Sequence, residues 1–157
     1  MRIIAFLIVT IILSCGLTYG SDSLSFEVKL TNIMSGASAK YKYSNGKVKV
    51  YKSRNDKSYR LIKIKQLKED SRVLIDDASI QLLEEYDYKS GEFADYGVLD
   101  GYIWKLKILF KGQTLSYEVT NCNNKKLDEL IKLLNNQLGK KKLIFETGLM
   151  NEDRPCY

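Results

Sequence analysis

A chain of 157 residues holds 25 Lys or Arg, 19 Asp or Glu and no histidine, for a formal net charge of +6. The missing imidazole excludes serine–histidine and cysteine–histidine nucleophile pairs and any imidazole-ligated metal centre. One proline, 45% apolar residues and no low-complexity tract or internal repeat exclude a disordered or repeat architecture and point to one globular domain.

Arg2 followed by the uncharged apolar run Ile3 to Leu13 reads as a secretion signal, because a spanning helix needs about 20 apolar residues and this run stops short. Two processing routes stay open. Thr18 and Gly20 suit cleavage after Gly20, whereas Ile12-Leu13-Ser14-Cys15 resembles a bacterial lipobox, which would leave Cys15 as an acylated first residue. A buried N-terminal helix is the remaining alternative. The expected organisation is a signal peptide over 1–20, with a possible lipobox ending at Cys15, and a single α+β domain over 21–157. Its expected place is the bacterial cell envelope as a lipoprotein, or a secreted or periplasmic location. Either route removes Cys15 as a thiol and leaves Cys122 and Cys156, an even pair that an oxidising compartment would join as a disulfide.

Strict alternation over Leu24-Ser25-Phe26-Glu27-Val28-Lys29-Leu30 predicts a half-buried strand. After a Gly/Ser-bearing break over Ile33 to Ala39, "KYKYSNGKVKVYK" sets two alternating runs around Asn45-Gly46, a pair suited to the positive φ of a type I′ turn. A polar turn over Ser53 to Ser58 leads into a strand over Tyr59 to Leu67. From Asp76-Asp77 the period changes, and Ala78, Ile80, Leu82, Leu83 and Tyr86 fit a short helix with an aspartate N-cap. Val73 to Ile75 could belong to that helix or to a strand before it. Lys89 to Gly101, with three glycines and no period, reads as a long loop.

"YIWKLKILFKGQTLSYEVT" is a second hairpin turning at Lys111-Gly112-Gln113, with Trp104 as a core residue. Asn123 or Asn124 caps a last helix in which Leu127, Leu130, Ile131, Leu134 and Leu138 recur at helical spacing, and Gly139 ends it as a left-handed residue. Leu143 to Phe145 could add an edge strand. The expected architecture is α+β: a two-layer domain with an antiparallel sheet of hairpins and two amphipathic helices on one face.

No phosphate-binding loop, dinucleotide fingerprint or C-x-x-C occurs, so no catalytic residue, metal ligand or cofactor is assigned and an enzyme is not expected. Glu92, Asp95 and Asp100 share a loop, but their spacing is not that of a twelve-residue calcium loop and they read as solvated acids. Charge is more informative. Residues 40–68 hold eleven Lys or Arg against Asp56 alone, a net +10, whereas residues 69–101 hold ten acids against Arg72 and Lys89, a net −8. Cations interleaved with Tyr41, Tyr43, Tyr51 and Tyr59 are what a nucleic-acid-binding sheet shows, and export argues against that partner. The plain alternative is that lysine is the outward residue of alternating strands and blunts sheet edges. The candidate contact residues are therefore Lys42, Lys47, Lys49, Lys52 and Arg54 of the basic hairpin, together with Phe93 and Tyr96 of the 89–101 loop, which read either as aromatic anchors or as rings folded back over one end of the sheet.

The order of these pieces, from "YSNGKVKVYK" through "DGYIWKLKILFKGQTLSYEV" to "LDELIKLLNNQL", resembles a group of small exported bacterial α+β proteins of unknown function. It is also distantly similar to the emfourin-type inhibitors of thermolysin-like metalloproteases. The likeness spans residues 24–138 in element order and assigns no inhibitory residue. It implies binding through loops rather than catalysis. The expected function is a non-catalytic exported domain for an acidic protein, glycan or lipid headgroup, touching a membrane through a lipid anchor only. The alternatives are an inhibitor or immunity-type protein that blocks an extracytoplasmic enzyme with the 89–101 loop, and a hydrolase using scattered carboxylates.

Overall fold

Alternating side chains become strands wherever the sequence alternates. The computed structural model describes residues 24–94, 101–147 and 156. The signal segment, both processing sites, Cys15, Asp95, Tyr96 and Asp100 lie outside them. Among the described residues the elements are β1 (Ser25–Asn32), β2 (Ser38–Ser44), β3 (Lys47–Ser53), β4 (Arg60–Gln66), α1 (Glu69–Glu85), β5 (Gly91–Ala94), β6 (Tyr102–Phe110), β7 (Gln113–Thr120) and α2 (Lys125–Leu138). A 3-10 turn, Gly139–Lys141, follows α2. No helix among the described residues is long and apolar enough to cross a membrane.

The strands form one sheet in the order β4-β3-β2-β1-β6-β7-β5. The fold is α+β with a mixed sheet. Every neighbouring pair is antiparallel except β5 and β7, which run parallel with Gly91 to Ala94 beside Tyr117 to Thr120. That edge strand corrects the expectation of hairpins alone and of a structureless 89–101 loop: Ser90 Oγ accepts from Ser116 N at 2.9 Å and starts the pairing. Both hairpin turns are two residues long, with φ of 49° and 68° at Asn45-Gly46 and of 49° and 78° at Lys111-Gly112. These values match the right-handed strand twist, as the sequence predicts for the first turn.

Helix α1 starts at Glu69 and not near Asp76. No side chain caps it. Glu69 and Asp70 lie in the first turn, where negative charge suits the dipole, and Arg72 Nη2 pairs with Glu69 at 2.7 Å. Val73 and Leu74 belong to this helix but point outward at 46% and 55% exposure, so the apolar period begins only at Ile75. Asp76 is therefore an interior helix position, where it accepts from Tyr43 Oη at 2.5 Å. Helix α2 is capped as expected, with Asn124 Oδ1 accepting from Leu127 N at 3.0 Å. Gly139 does have positive φ (58°), but its ψ of −127° is not left-handed helical, and the chain turns into the 3-10 segment instead.

The core fills one face of the strands with Phe26, Val28, Leu30, Tyr41, Tyr43, Val48, Val50, Trp104, Leu106, Ile108, Tyr117 and Val119, joined by Ile75, Leu82 and Leu83 of α1 and by Leu127, Leu130, Ile131, Leu134 and Leu138 of α2. Tyr41 and Tyr43 point from this face to Asn135 of α2 and Asp76 of α1. Leu143 to Phe145 forms no strand. Its backbone is held by side chains, with Leu143 N and Ile144 N donating to Tyr41 Oη, Ile144 O accepting from Asn135 Nδ2, and Phe145 O accepting from Trp104 Nε1. Those four bonds replace a sheet ladder. Cys122 and Cys156 meet at disulfide distance with Cα atoms 4.9 Å apart.

Candidate functional site

Because side chains alternate, the face opposite the core is fixed by the same register. Three rows cross it. One runs Tyr51, Lys40, Lys29, Lys105, Glu118 over β3, β2, β1, β6 and β7. The next runs Ile64, Lys49, Lys42, Glu27, Lys107, Ser116 from β4 to β7. The third begins Gln66, Lys47, Ser44, Ser25. Seven lysines and no arginine stand in these rows.

Three carboxylates answer some of that charge. Glu27 meets Lys42 at 3.0 Å and Lys40 at 3.6 Å, Glu118 meets Lys105 at 2.6 Å, and Asp56 meets Lys29 at 2.5 Å. Lys47, Lys49 and Lys107 have no acidic partner among the described residues. Asp56 reaches Lys29 from the turn between β3 and β4, where it adopts φ of 58°. Ser38 Oγ donates to it at 2.9 Å and Tyr59 Oη donates to it as well. Burial opposes ionisation of Asp56, but the hydrogen bonds from Lys29, Tyr59 and Ser38 outweigh it and hold the carboxyl below its ordinary range. Burial, joined by the bond to Asp56, pushes the Tyr59 phenol up to about 12. Lys40 Nζ stands 3.9 Å above the Tyr59 ring and 5.8 Å from the Tyr51 ring.

Four register pairs set cations opposite one another: Lys29 with Lys40, Lys29 with Lys105, Lys42 with Lys49, and Lys52 with Arg60. Directly opposed like charges destabilise a sheet. Only the last of these pairs lies on the sheet's edge.

The sequence candidates separate by face. Lys42, Lys47 and Lys49 share the lysine face. Lys52 opposes Ala39 and so sits at the rim of the core side, where it lines a cleft of about 300 Å³ with Leu30, Ala39, Tyr102, Leu143 and Phe145. Arg54 is exposed in the β3–β4 turn. Lys63 and Lys65 oppose Val50 and Val48 on the core side, and Lys65 Nζ donates to Gln137 O at 2.6 Å, at the C-terminal end of α2 where a cation suits the dipole. Phe93 packs its ring 4.8 Å from that of Tyr86 and is half-buried. Lys29, Lys105 and Lys107 were absent from the basic hairpin, yet each alternates with core residues in "FEVKL" and "WKLKI", a signal that places them on the outer face. Among the described residues no three acidic or sulfur side chains cluster as a metal site. No protein-family model and no curated protein matches this chain.

Proposed function

We propose that the chain is an exported, non-catalytic binding domain that docks an acidic partner on the lysine face of its sheet. Acylated Cys15 would hold it to the bacterial envelope, or cleavage after Gly20 would release it. The domain is then two-layered: α1 and α2 cover the apolar face and the lysine face meets the partner.

The observation that carries this proposal is that Lys47, Lys49 and Lys107 stand on the outer face with no acidic partner among the described residues, with Lys49 set opposite Lys42, whereas Lys29, Lys40 and Lys105 are each answered by a carboxylate. Lys107 lies on β6, an interior strand of the sheet, so it blunts no edge. Serine, threonine or glutamine would occupy an outward position without repulsion, whereas a bound anion turns the repulsion into attraction.

Lys49→Gln/Lys107→Gln tests the proposal against Lys140→Gln/Lys141→Gln, which removes the same charge beyond α2. Binding to surfaces coated with poly-L-glutamate or polyphosphate is measured together with thermal unfolding. The face variant should bind more weakly and melt no lower than wild type, since it removes a like-charge pair, and the control should bind as wild type does. Equal losses in both variants would show that net charge alone decides, and no loss in either would refute a docking role for the lysine face.

A further inference from the structure

Resting on that docking surface, we infer that the ligand is a linear chain of phosphate groups without bases, laid across the strands from β3 to β6. Four features of the face select this chemistry. The first is the cation itself. Every basic residue in the three rows is a lysine, a point charge that suits phosphate oxygens arriving from any direction, and no arginine offers the planar fork that fits a carboxylate or an ordered protein surface. Protein interfaces are depleted of lysine and enriched in arginine and aromatic anchors, the reverse of this composition.

The second is the state of the rings. Tyr51 and Tyr59 are the aromatic residues on this side, and Lys40 lies against both of them, while Tyr41 and Tyr43 are buried in the core. Among the described residues of this face, both rings already carry a cation on one side and so favour anion-binding lysine over base stacking. The third is curvature. Adjacent strands turn by roughly 20–25°, so the lysines of β3 and β6, three strands apart, point about 60–75° away from each other. A flat bilayer cannot meet both, but a flexible chain can follow the turn.

The fourth is span. Lys47, Lys49, Lys42 and Lys107 form a path interrupted only by Glu27, whose charge Lys42 and Lys40 already answer. At about 4.8 Å per strand the path covers about 14 Å, too far for one phosphate. Contact with these four lysines predicts that log affinity falls with log salt at a slope of about −3.

Titration calorimetry of the full processed chain at low and at physiological salt would test the assignment. The probes are long-chain inorganic polyphosphate, tripolyphosphate, orthophosphate, poly-L-glutamate, oligo(dT), and vesicles of phosphatidylcholine and phosphatidylglycerol in equal parts. Long polyphosphate should bind about tenfold or more tighter per phosphate than tripolyphosphate, and Lys49→Gln/Lys107→Gln should flatten its salt slope by about 1.4. Equal affinity per phosphate at all lengths, an unchanged slope in the variant, or a preference for vesicles or oligo(dT) would overturn the assignment. Tight binding of poly-L-glutamate without polyphosphate would overturn it too, while leaving the docking face in place. Failure of every anion to bind would remove both.

Discussion

Replacing Tyr41 by Phe takes one oxygen from a side chain with 0% exposure and leaves its ring in place. That oxygen accepts from Leu143 N at 2.7 Å and Ile144 N at 3.0 Å, and donates to Asn135 Oδ1 at 3.0 Å. Three polar groups therefore lose a partner in one substitution. Ile144 and Asn135 are buried, with no route to solvent; Leu143 is half-buried and recruits water more easily. With a cost of about 1–3 kcal/mol for each buried group left unpaired, the variant should lose about 3 kcal/mol. Urea titration reads this directly. For a slope near 2 kcal/mol per molar, the midpoint should fall by about 1.5 M. Amide exchange locates the loss, because Leu143 and Ile144 should lose protection while the β2–β3 amides keep theirs. A midpoint that moves by less than about 0.3 M with both amides still protected would refute the reasoning.

Changing both cysteines to serine opens a link across a sequence separation of 34 residues and should cost about 4 kcal/mol by urea unfolding; a loss under about 1 kcal/mol would contradict the chain-entropy account. Asp56 gives a pH signature. Its folded pKa lies below the unfolded one, so the unfolded chain binds more protons between the two, and stability rises with pH across that window. Its contribution is complete above the unfolded pKa of about 4 and disappears as pH falls through the folded value, so Asp56→Asn should destabilise at about pH 6 and progressively less as pH falls below about 4. The Tyr59 phenol carries the opposite sign: its contribution is complete below the unfolded value of 10.0 and disappears as pH rises through about 12, which an ultraviolet titration of Tyr59→Phe against wild type would isolate.

Local chemistry explains which elements were legible. Asn45-Gly46 and Lys111-Gly112 each sit between runs of period two, so the turn and both flanking strands follow from a dozen residues. Helix α2 carries its cap and its apolar stripe in one continuous segment. Helix α1 hid its start because Val73 and Leu74 are apolar residues on the wet side and no Ser, Thr, Asn or Asp caps the first turn. β5 hid because four residues around a glycine have no period of their own, and it pairs through β7 rather than through a hairpin. Leu143 to Phe145 carries a strand-like composition, but side chains of Tyr41, Asn135 and Trp104 took its backbone groups first. At the site, counting cations along residues 40–68 mixed two faces: Lys42 and Lys49 stand on one, Lys63 and Lys65 on the other. Lys29, Lys105 and Lys107 join the first face through a strand order that no local pattern encodes.

The first strand of the fold is its innermost one. β2, β3 and β4 reach it by short turns, whereas β6 supplies its other flank from residues 70 (Asn32 with Tyr102) to 84 (Ser25 with Leu109) positions further on. A growing chain can thus finish half the sheet and wait with a bare backbone seam along β1 until Tyr102 to Phe110 has been made. The closing piece, β6–β7, is a self-contained hairpin of the same shape in every copy. Crowded, half-built molecules consequently have a ready route to trading hairpins.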